Sequence, residues 1–253
     1  MYPRLFQFGP ISIPTAGAFA AIGILAALSA ARITARRLEL DPEKIWDLGI
    51  TGILTALLAP RLILIFSNWK DFTAHPLWLI GVFSVRSDSA VVGGLALALT
   101  AMLVFALATR LPLRSTLDAL APGFALGLAI ASIGEFLAGS AFGKPTRLPW
   151  AITYKSRLAS LWYGTPLGTP LHPVQIYSAF VECCILVLLL TLIAKRDTWK
   201  IRSGEVMGAW LFLYATSSSC MNLLRSDLPA NSFFASQSLA AGMALVGGLL
   251  WLF

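Results

Sequence analysis

Seven apolar runs, each close to 20 residues long, constrain what this chain can become. They lie at about residues 13–31, 45–66, 90–108, 117–139, 173–194, 204–224 and 234–253. About 20 helical residues cross the hydrocarbon of a bilayer. Inside hydrocarbon, backbone N–H and C=O groups find no water, so a run of this length must satisfy itself as a helix. The runs do not alternate as the short strands of a transmembrane barrel do. Only 12% of the 253 residues are charged and 57% are hydrophobic, whereas a soluble domain carries about a quarter charged. The expectation is an all-α integral membrane protein of about seven transmembrane helices, forming one domain over residues 1–253.

Basic residues in the loops set the orientation. Ten Lys and Arg flank the loops after runs one, three and five, against eight on the opposite side, and four of those eight share one long loop. Short loops weigh most in the positive-inside rule, which puts the N-terminus outside and the C-terminus inside. Two outer-face loops follow, at about 67–88 and 140–171. The first contains Leu77–Val85, apolar but too short to span, which reads as re-entrant or interfacial. The second carries Lys144, Arg147, Lys155 and Arg157. Contact with anionic lipid and plain solvation both account for those four charges.

The net charge of +7 is the ordinary result of such flanks, and no interleaving of aromatic and basic residues points to nucleic acid. Cys183, Cys184 and Cys220 fall inside apolar runs without metal-ligand spacing and read as small apolar packing residues. No metal or other cofactor is expected. The first run follows Met1-Tyr2-Pro3-Arg4 without a clear cleavage site, so it is expected to be retained.

Charge inside a span is costly and usually faces a cavity or a partner. Asp47 reads as an interfacial partner of Lys44. Arg61, after Ala59-Pro60, either snorkels toward Asn68 or holds a phosphate, whose oxygens suit a guanidinium bidentately. Glu135 is either a proton acceptor or the structural partner of an arginine. The sixth run carries a polar stripe: Tyr214, Ser218, Asn222 and Arg225 fall within an arc of roughly 80° on one helix face. Such a stripe serves either as interhelical glue or as the lining of a head-group cavity. In the fifth run Gln175, Ser178 and Glu182 share a face. The densest polar patch is Leu171-His172-Pro173-Val174-Gln175-Ile176-Tyr177, at the mouth of that run. His172 there is a hydrogen-bonded anchor or a base, and Tyr177 an aromatic-belt residue or a head-group contact.

The order of these pieces resembles the prolipoprotein diacylglyceryl transferase family. Phe8-Gly9-Pro10-Ile11 is similar to that family's Gly-Pro before its first span. Ala59-Pro60-Arg61-Leu62 resembles its Gly-x-Arg-Leu, and Val92-Gly93-Gly94-Leu95 its glycine-rich third span. Gly134-Glu135-Phe136 with Gly139, and Phe142-Gly143-Lys144-Pro145-Thr146-Arg147-Leu148-Pro149-Trp150, resemble the signature after the fourth. Pro170-Leu171-His172-Pro173-Val174-Gln175-Ile176-Tyr177 is similar to Pro-Arg-His-Pro-Ser-Gln-Leu-Tyr and is the most specific element. Leu224-Arg225-Ser226-Asp227 and Ala235-Ser236-Gln237-Ser238 resemble its closing polar steps. The chain departs from the family pattern at charged positions. Ser132 stands where the family has Arg, Glu135 where it has Asn, and Ser140 where it has Glu. Ser218 and Asn222 replace an Arg and a Glu in the sixth span. Val92 replaces a histidine and Ala16 a tyrosine.

The resemblance implies transfer of a diacylglyceryl group from phosphatidylglycerol to a lipobox cysteine thiol of an exported preprotein, in the bacterial cytoplasmic (inner) membrane. The thiol must lose a proton, and the departing phosphate needs fixed positive charge. On this reading Glu135 or His172 handles the proton. Arg61 and Arg225 bind phosphate, while Gly143, Gln175, Tyr177, Tyr214 and Asn222 complete the substrate contacts. Arg86 and Arg147 are further sources of positive charge. Two alternatives stay open: a catalytically inactive or re-purposed paralogue that binds phospholipid or lipoprotein precursor, and a transferase with a changed donor or acceptor.

Overall fold

The fold is taken from a computed structural model that describes residues 2–9, 11–74, 88–227 and 229–252. The expected interfacial piece Leu77–Val85 and Arg86 lie outside the described residues. The chain divides into two compact units, one formed by residues 1–39 and 117–253, the other by residues 40–116.

The first unit opens on an antiparallel hairpin, β1 (Arg4–Phe8) and β2 (Ile11–Pro14), which the apolar pattern did not announce. Gly9 takes a φ of +57° at its turn, a left-handed conformation that suits a residue without Cβ. Helix α1 (Thr15–Arg37) follows directly and ends on Arg36 and Arg37, whose charges complement the negative end of the helix dipole.

The second unit starts with α2 (Pro42–Ser67). Asp41 caps it by accepting from the backbone N–H groups of Glu43 and Lys44 at 3.0 and 3.4 Å, and Pro42 occupies the first turn. Lys44 donates its ammonium to the Thr109 carbonyl at 3.3 Å, which replaces the expected pairing with Asp47. Short α3 (Trp69–Ala74) follows, then α4 (Asp88–Ala108). Helices α2 and α4 pack through their small residues. Gly52 lies under Met102, Gly93 under Ile63, and Gly94 against the ring of Pro60. The paired glycines thus admit the proline that sits inside α2.

Helix α5 (Leu113–Ala138) returns the chain to the first unit. After it come β3 (Ile152–Thr153), α6 (Arg157–Tyr163) and β4 (Pro170–Leu171). Then follow α7 (Val174–Ala194), short α8 (Arg196–Trp199), α9 (Glu205–Leu224) and α10 (Ala230–Leu252). Each of the seven expected spans therefore coincides with a long helix. By length and hydropathy, six of the helices among the described residues can cross a membrane, and α9 is not one of them. Its run Thr216-Ser217-Ser218-Ser219 with Asn222 lowers its hydropathy.

Without a hydrophobic driving force between helices in lipid, close backbone approach at small residues supplies much of the packing. A Cβ on Gly23 would meet the Gly127 carbonyl oxygen at 2.7 Å, and one on Gly123 the Ala27 carbonyl oxygen at 2.5 Å. Helices α1 and α5 therefore cross on small residues spaced four apart. Gly208 and Gly247 make the same kind of crossing between α9 and α10, each Cβ falling under 3 Å from the other's carbonyl oxygen. Large apolar side chains point outward instead, with Phe180 and Leu245 both 70% exposed, as a lipid-facing surface requires. Cys183, Cys184 and Cys220 lie on that exposed surface rather than in the packing between helices, because lipid accepts them as readily as protein does.

Asp118, which no motif singled out, is fully buried on α5. Its carboxylate accepts from Gly204 N at 2.7 Å and Met207 N at 2.9 Å, capping α9 from a neighbouring helix. The small-residue crossings are open to direct test. Gly123→Ala should lower stability in detergent by about 1–3 kcal/mol through overpacking. Gly242→Ala, where a Cβ meets nothing within 4 Å, should change it little. Thermal unfolding of the two variants compares them.

Candidate functional site

The polar patch at the mouth of α7 becomes a scaffold through one side chain. Gln175 is 2% exposed, and its Nε2 donates to the Ser140 carbonyl at 2.5 Å and to the Tyr154 hydroxyl at 3.2 Å. This ties the start of α7 to the chain leaving α5 and to the loop between them. Burial pushes the Tyr154 phenol above its ordinary pKa, and the Gln175 hydrogen bond acts in the opposite sense. Tyr154 packs with Phe142 and Leu171, flanked by Ile152, as the loop's own small core. Thr165 donates to the Gly139 carbonyl at 2.7 Å, where Gly139 leaves α5 with a φ of +84°.

Gly143 is a structural crossing rather than a wall of the cavity. It bridges Arg225 in an antiparallel pair, while Pro145 bridges Leu171. Around it Lys144 N donates to the Leu224 carbonyl at 2.8 Å and Ser226 N to the Phe142 carbonyl at 3.1 Å. A Cβ at 143 would meet the His172 carbonyl oxygen at 2.5 Å and its Cβ at 2.7 Å, so only glycine lets these strands cross. The crossing delivers Arg225 from the end of α9 to the same place as Gln175.

There α5, α7 and α9 enclose a cavity of about 180 Å³. Its lining includes Ser132 and Glu135 from α5, Gln175, Ser178 and Glu182 from α7, and Tyr214, Ser218 and Asn222 from α9, with Arg225 at the rim. Five of the residues nominated from sequence, Glu135, Gln175, Tyr214, Asn222 and Arg225, thus meet in one place. Arg225 Nε and Nη2 donate to the two carboxylate oxygens of Asp227 at 2.9 and 2.8 Å. Burial lowers the affinity of Arg225 for its proton, but Asp227 first and then Glu135 outweigh it, so its pKa stands above the ordinary arginine value. Tyr214 stacks on Trp210 with ring centroids 5.3 Å apart, and Asn222 donates to the Ser236 hydroxyl at 3.2 Å.

His172 and Tyr177 are not part of this lining among the described residues. Their rings meet edge-on at 6.3 Å, the Tyr177 hydroxyl accepts from Trp150 Nε1 at 2.6 Å, and His172 N donates to the Lys144 carbonyl at 3.0 Å. Both bind the long loop to α7. Arg61 lies half-buried on α2 in the other unit, directly after Pro60. Lys144, Arg147, Lys155 and Arg157 are exposed. Glu182, noted in the sequence only as sharing a helix face with Gln175, is a lining carboxylate that was not nominated for the site. Its position, two turns along the helix face from Gln175, was the available signal. It is 4% exposed and lines the cavity, and its Oε2 has no hydrogen-bond partner among the described residues.

These features define a multi-pass helical membrane protein with a polar cavity enclosed by three of its helices. Residues 3–253 match the family described as prolipoprotein diacylglyceryl transferase, and the chain belongs to that family. It is 29% identical to the phosphatidylglycerol–prolipoprotein diacylglyceryl transferase of Trichormus variabilis, over 99% of this chain and 89% of that one. The protein of the same name from Photobacterium profundum is also 29% identical, over 99% and 92% of the two chains. The Synechococcus elongatus relative is 28% identical over 99% and 87%.

The geometry makes Gln175 the tie between loop and helix. Gln175→Leu leaves the Ser140 carbonyl and Tyr154 hydroxyl without their donor, at a cost of about 1–3 kcal/mol. Limited proteolysis within residues 140–171 should accelerate in that variant, while the transmembrane fragments stay intact.

Proposed function

We propose that this chain transfers a diacylglyceryl group from a phospholipid to the thiol of a lipobox cysteine in an exported preprotein. Phosphatidylglycerol is the donor that the relatives' names specify. The observation that carries the reading is the convergence of Glu135, Gln175, Tyr214, Asn222 and Arg225 on one cavity among otherwise lipid-exposed helices. Buried polar groups are costly in hydrocarbon, and a cavity that gathers them has the chemistry of a head-group site.

In the transfer, the cysteine sulfur attacks the glyceryl methylene carbon. The bond from that carbon to the phosphate oxygen breaks, and its electron pair leaves on the glycerol phosphate. The thiol proton passes to a base, and Glu135 is the carboxylate on α5 assigned to receive it. Arg225, held in place by Asp227, faces the departing phosphate as fixed positive charge. His172 and Tyr177 serve as positioning residues that hold the loop over α7. The site of action is the bacterial cytoplasmic membrane, where phospholipid and exported preprotein meet. The N-terminus is assigned to the outer side by the short basic loops.

Purified protein supplied with phosphatidylglycerol and a lipobox peptide should yield the thioether product and free glycerol phosphate. Glu135→Gln should slow the reaction about 100-fold or more, the usual cost of losing a general base. Retention of phospholipid without any product would replace this reading with that of a lipid-binding paralogue.

A further inference from the structure

The cavity extends inward from the loop, along the helices. Gln175 and Arg225 stand where α7 and α9 meet the loop after α5. Glu182 lies two turns further along α7, roughly 10 Å deeper at the rise of an α-helix. Tyr214 lies about three turns down α9 from Arg225. It is hydrogen-bonded to Ser218 and lies within electrostatic reach of Glu182, Glu135 and Arg225. The lining thus has a rim that carries Glu135 and Arg225 and a deep end that carries Glu182.

The unsatisfied groups between rim and deep end are acceptors. Gln175 spends both of its donated hydrogen bonds on Ser140 and Tyr154, which leaves Oε1 buried with no partner among the described residues. Glu182 Oε2 is in the same condition. Both side chains are more than nine-tenths buried and both line the cavity. Ser132 and Ser178 add hydroxyls to the same lining, and a hydroxyl both donates and accepts. Acceptors interleaved with hydroxyls match a ligand group that donates and accepts in its turn. An alcohol does both, whereas an ionised phosphate oxygen only accepts and an ammonium only donates. A plain methylene does neither and would seal two buried acceptors away from any donor, at the cost of their desolvation.

We propose that Glu182, together with Gln175 Oε1, is the specificity-determining contact for the hydroxyls of a polyol phospholipid head. The head lies inward with its hydroxyls donating to these two oxygens, and its phosphate stays at the rim toward Arg225. The carbon–oxygen bond to be broken then lies at the rim, on the side of Glu135. That phosphatidylglycerol is the lipid concerned rests on the lipid-to-thiol reading. That the deep end reads hydroxyls does not. A site that hydrogen-bonds a substrate hydroxyl rejects the analogue lacking it, because the site's own buried polar groups are then left unpaired. Glu182 acts through that rejection and takes no proton in the transfer.

The test compares phosphatidylglycerol with phosphatidylpropanol, which has the same phosphate charge and the same number of head-group carbons but no hydroxyl. Nanodiscs hold the two in equal amounts with matched acyl chains. Lipid retained by the wild-type protein through delipidation is counted by native mass spectrometry. Phosphatidylglycerol should be retained about tenfold more, as expected for one hydrogen bond to a charged group. Glu182→Leu, which removes the acceptor, should bring the two to parity without lowering the melting temperature, because the oxygen it deletes has no partner among the described residues. Equal retention of both lipids by the wild type overturns the proposal, and that comparison needs no variant to fold. An undiminished preference in a folded Glu182→Leu also overturns it. Parity accompanied by a loss of melting temperature would make Glu182 a packing residue and overturn its role as a contact. Displacement of phosphatidylglycerol by free glycerol at equal concentration would move the site to a water-soluble polyol and overturn the lipid assignment. Transfer assays on the same samples separate the two claims. Product from phosphatidylglycerol with parity in retention removes this proposal alone. Preferential retention of phosphatidylglycerol without product removes the transfer reading alone.

Discussion

Hydrocarbon offers no hydrogen bonds, and this fold is organised around that absence. The backbone answers it with helices, and Asp118 answers it at a helix end by capping α9 from α5. Side chains answer it with local ties, as when Thr34 and Thr191 bond back to the carbonyl four residues earlier at 2.8 and 2.7 Å. Where the helices press together, glycine and alanine let backbones approach, so the packing is made by shape. Against that background Gln175 Oε1 and Glu182 Oε2 lie buried in the cavity lining with no hydrogen-bond partner among the described residues.

The loop after α5 makes the site possible without lining much of it. Gly143 lets two segments cross, Tyr154 and Leu171 fill the loop's core, and Gln175 bonds both to the loop and to the carbonyl of Ser140. These contacts fix where α7 begins relative to the end of α9. That relation places Arg225 beside the cavity, with Asp227 gripping its guanidinium from the other side. His172 and Tyr177 belong to the same scaffold, which accounts for a dense motif whose ring side chains stay outside the lining.

Much of the helical frame was legible from hydropathy. The run lengths gave the positions of all seven long helices within a few residues. Helical periodicity put Tyr214, Ser218, Asn222 and Arg225 on one face of α9, and Gln175, Ser178 and Glu182 on one face of α7, the faces that line the cavity. Other features were not legible, for identifiable reasons. The hairpin at Arg4–Pro14 is too short and too mixed in polarity to signal a strand. Asp118 looks like an isolated charge in an apolar run until the N-terminus of α9 is placed beside it. Cys183, Cys184 and Cys220 could not be assigned to lipid or to protein, because both surroundings are apolar. Motif density drew attention to His172, which lies outside the cavity lining among the described residues.

The central claim is that a phospholipid head group occupies the cavity between α5, α7 and α9. Ser178 lines that cavity, while Ile176 on the same helix is 39% exposed on its outer side. With Cys183, Cys184 and Cys220 replaced by serine, a single cysteine at position 178 can be timed for its reaction with a small thiol reagent. The rate should fall several-fold when phospholipid is restored to delipidated protein in lipid-free detergent, while a cysteine at 176 should show no comparable protection. Equal labelling of position 178 with and without phospholipid would contradict the account.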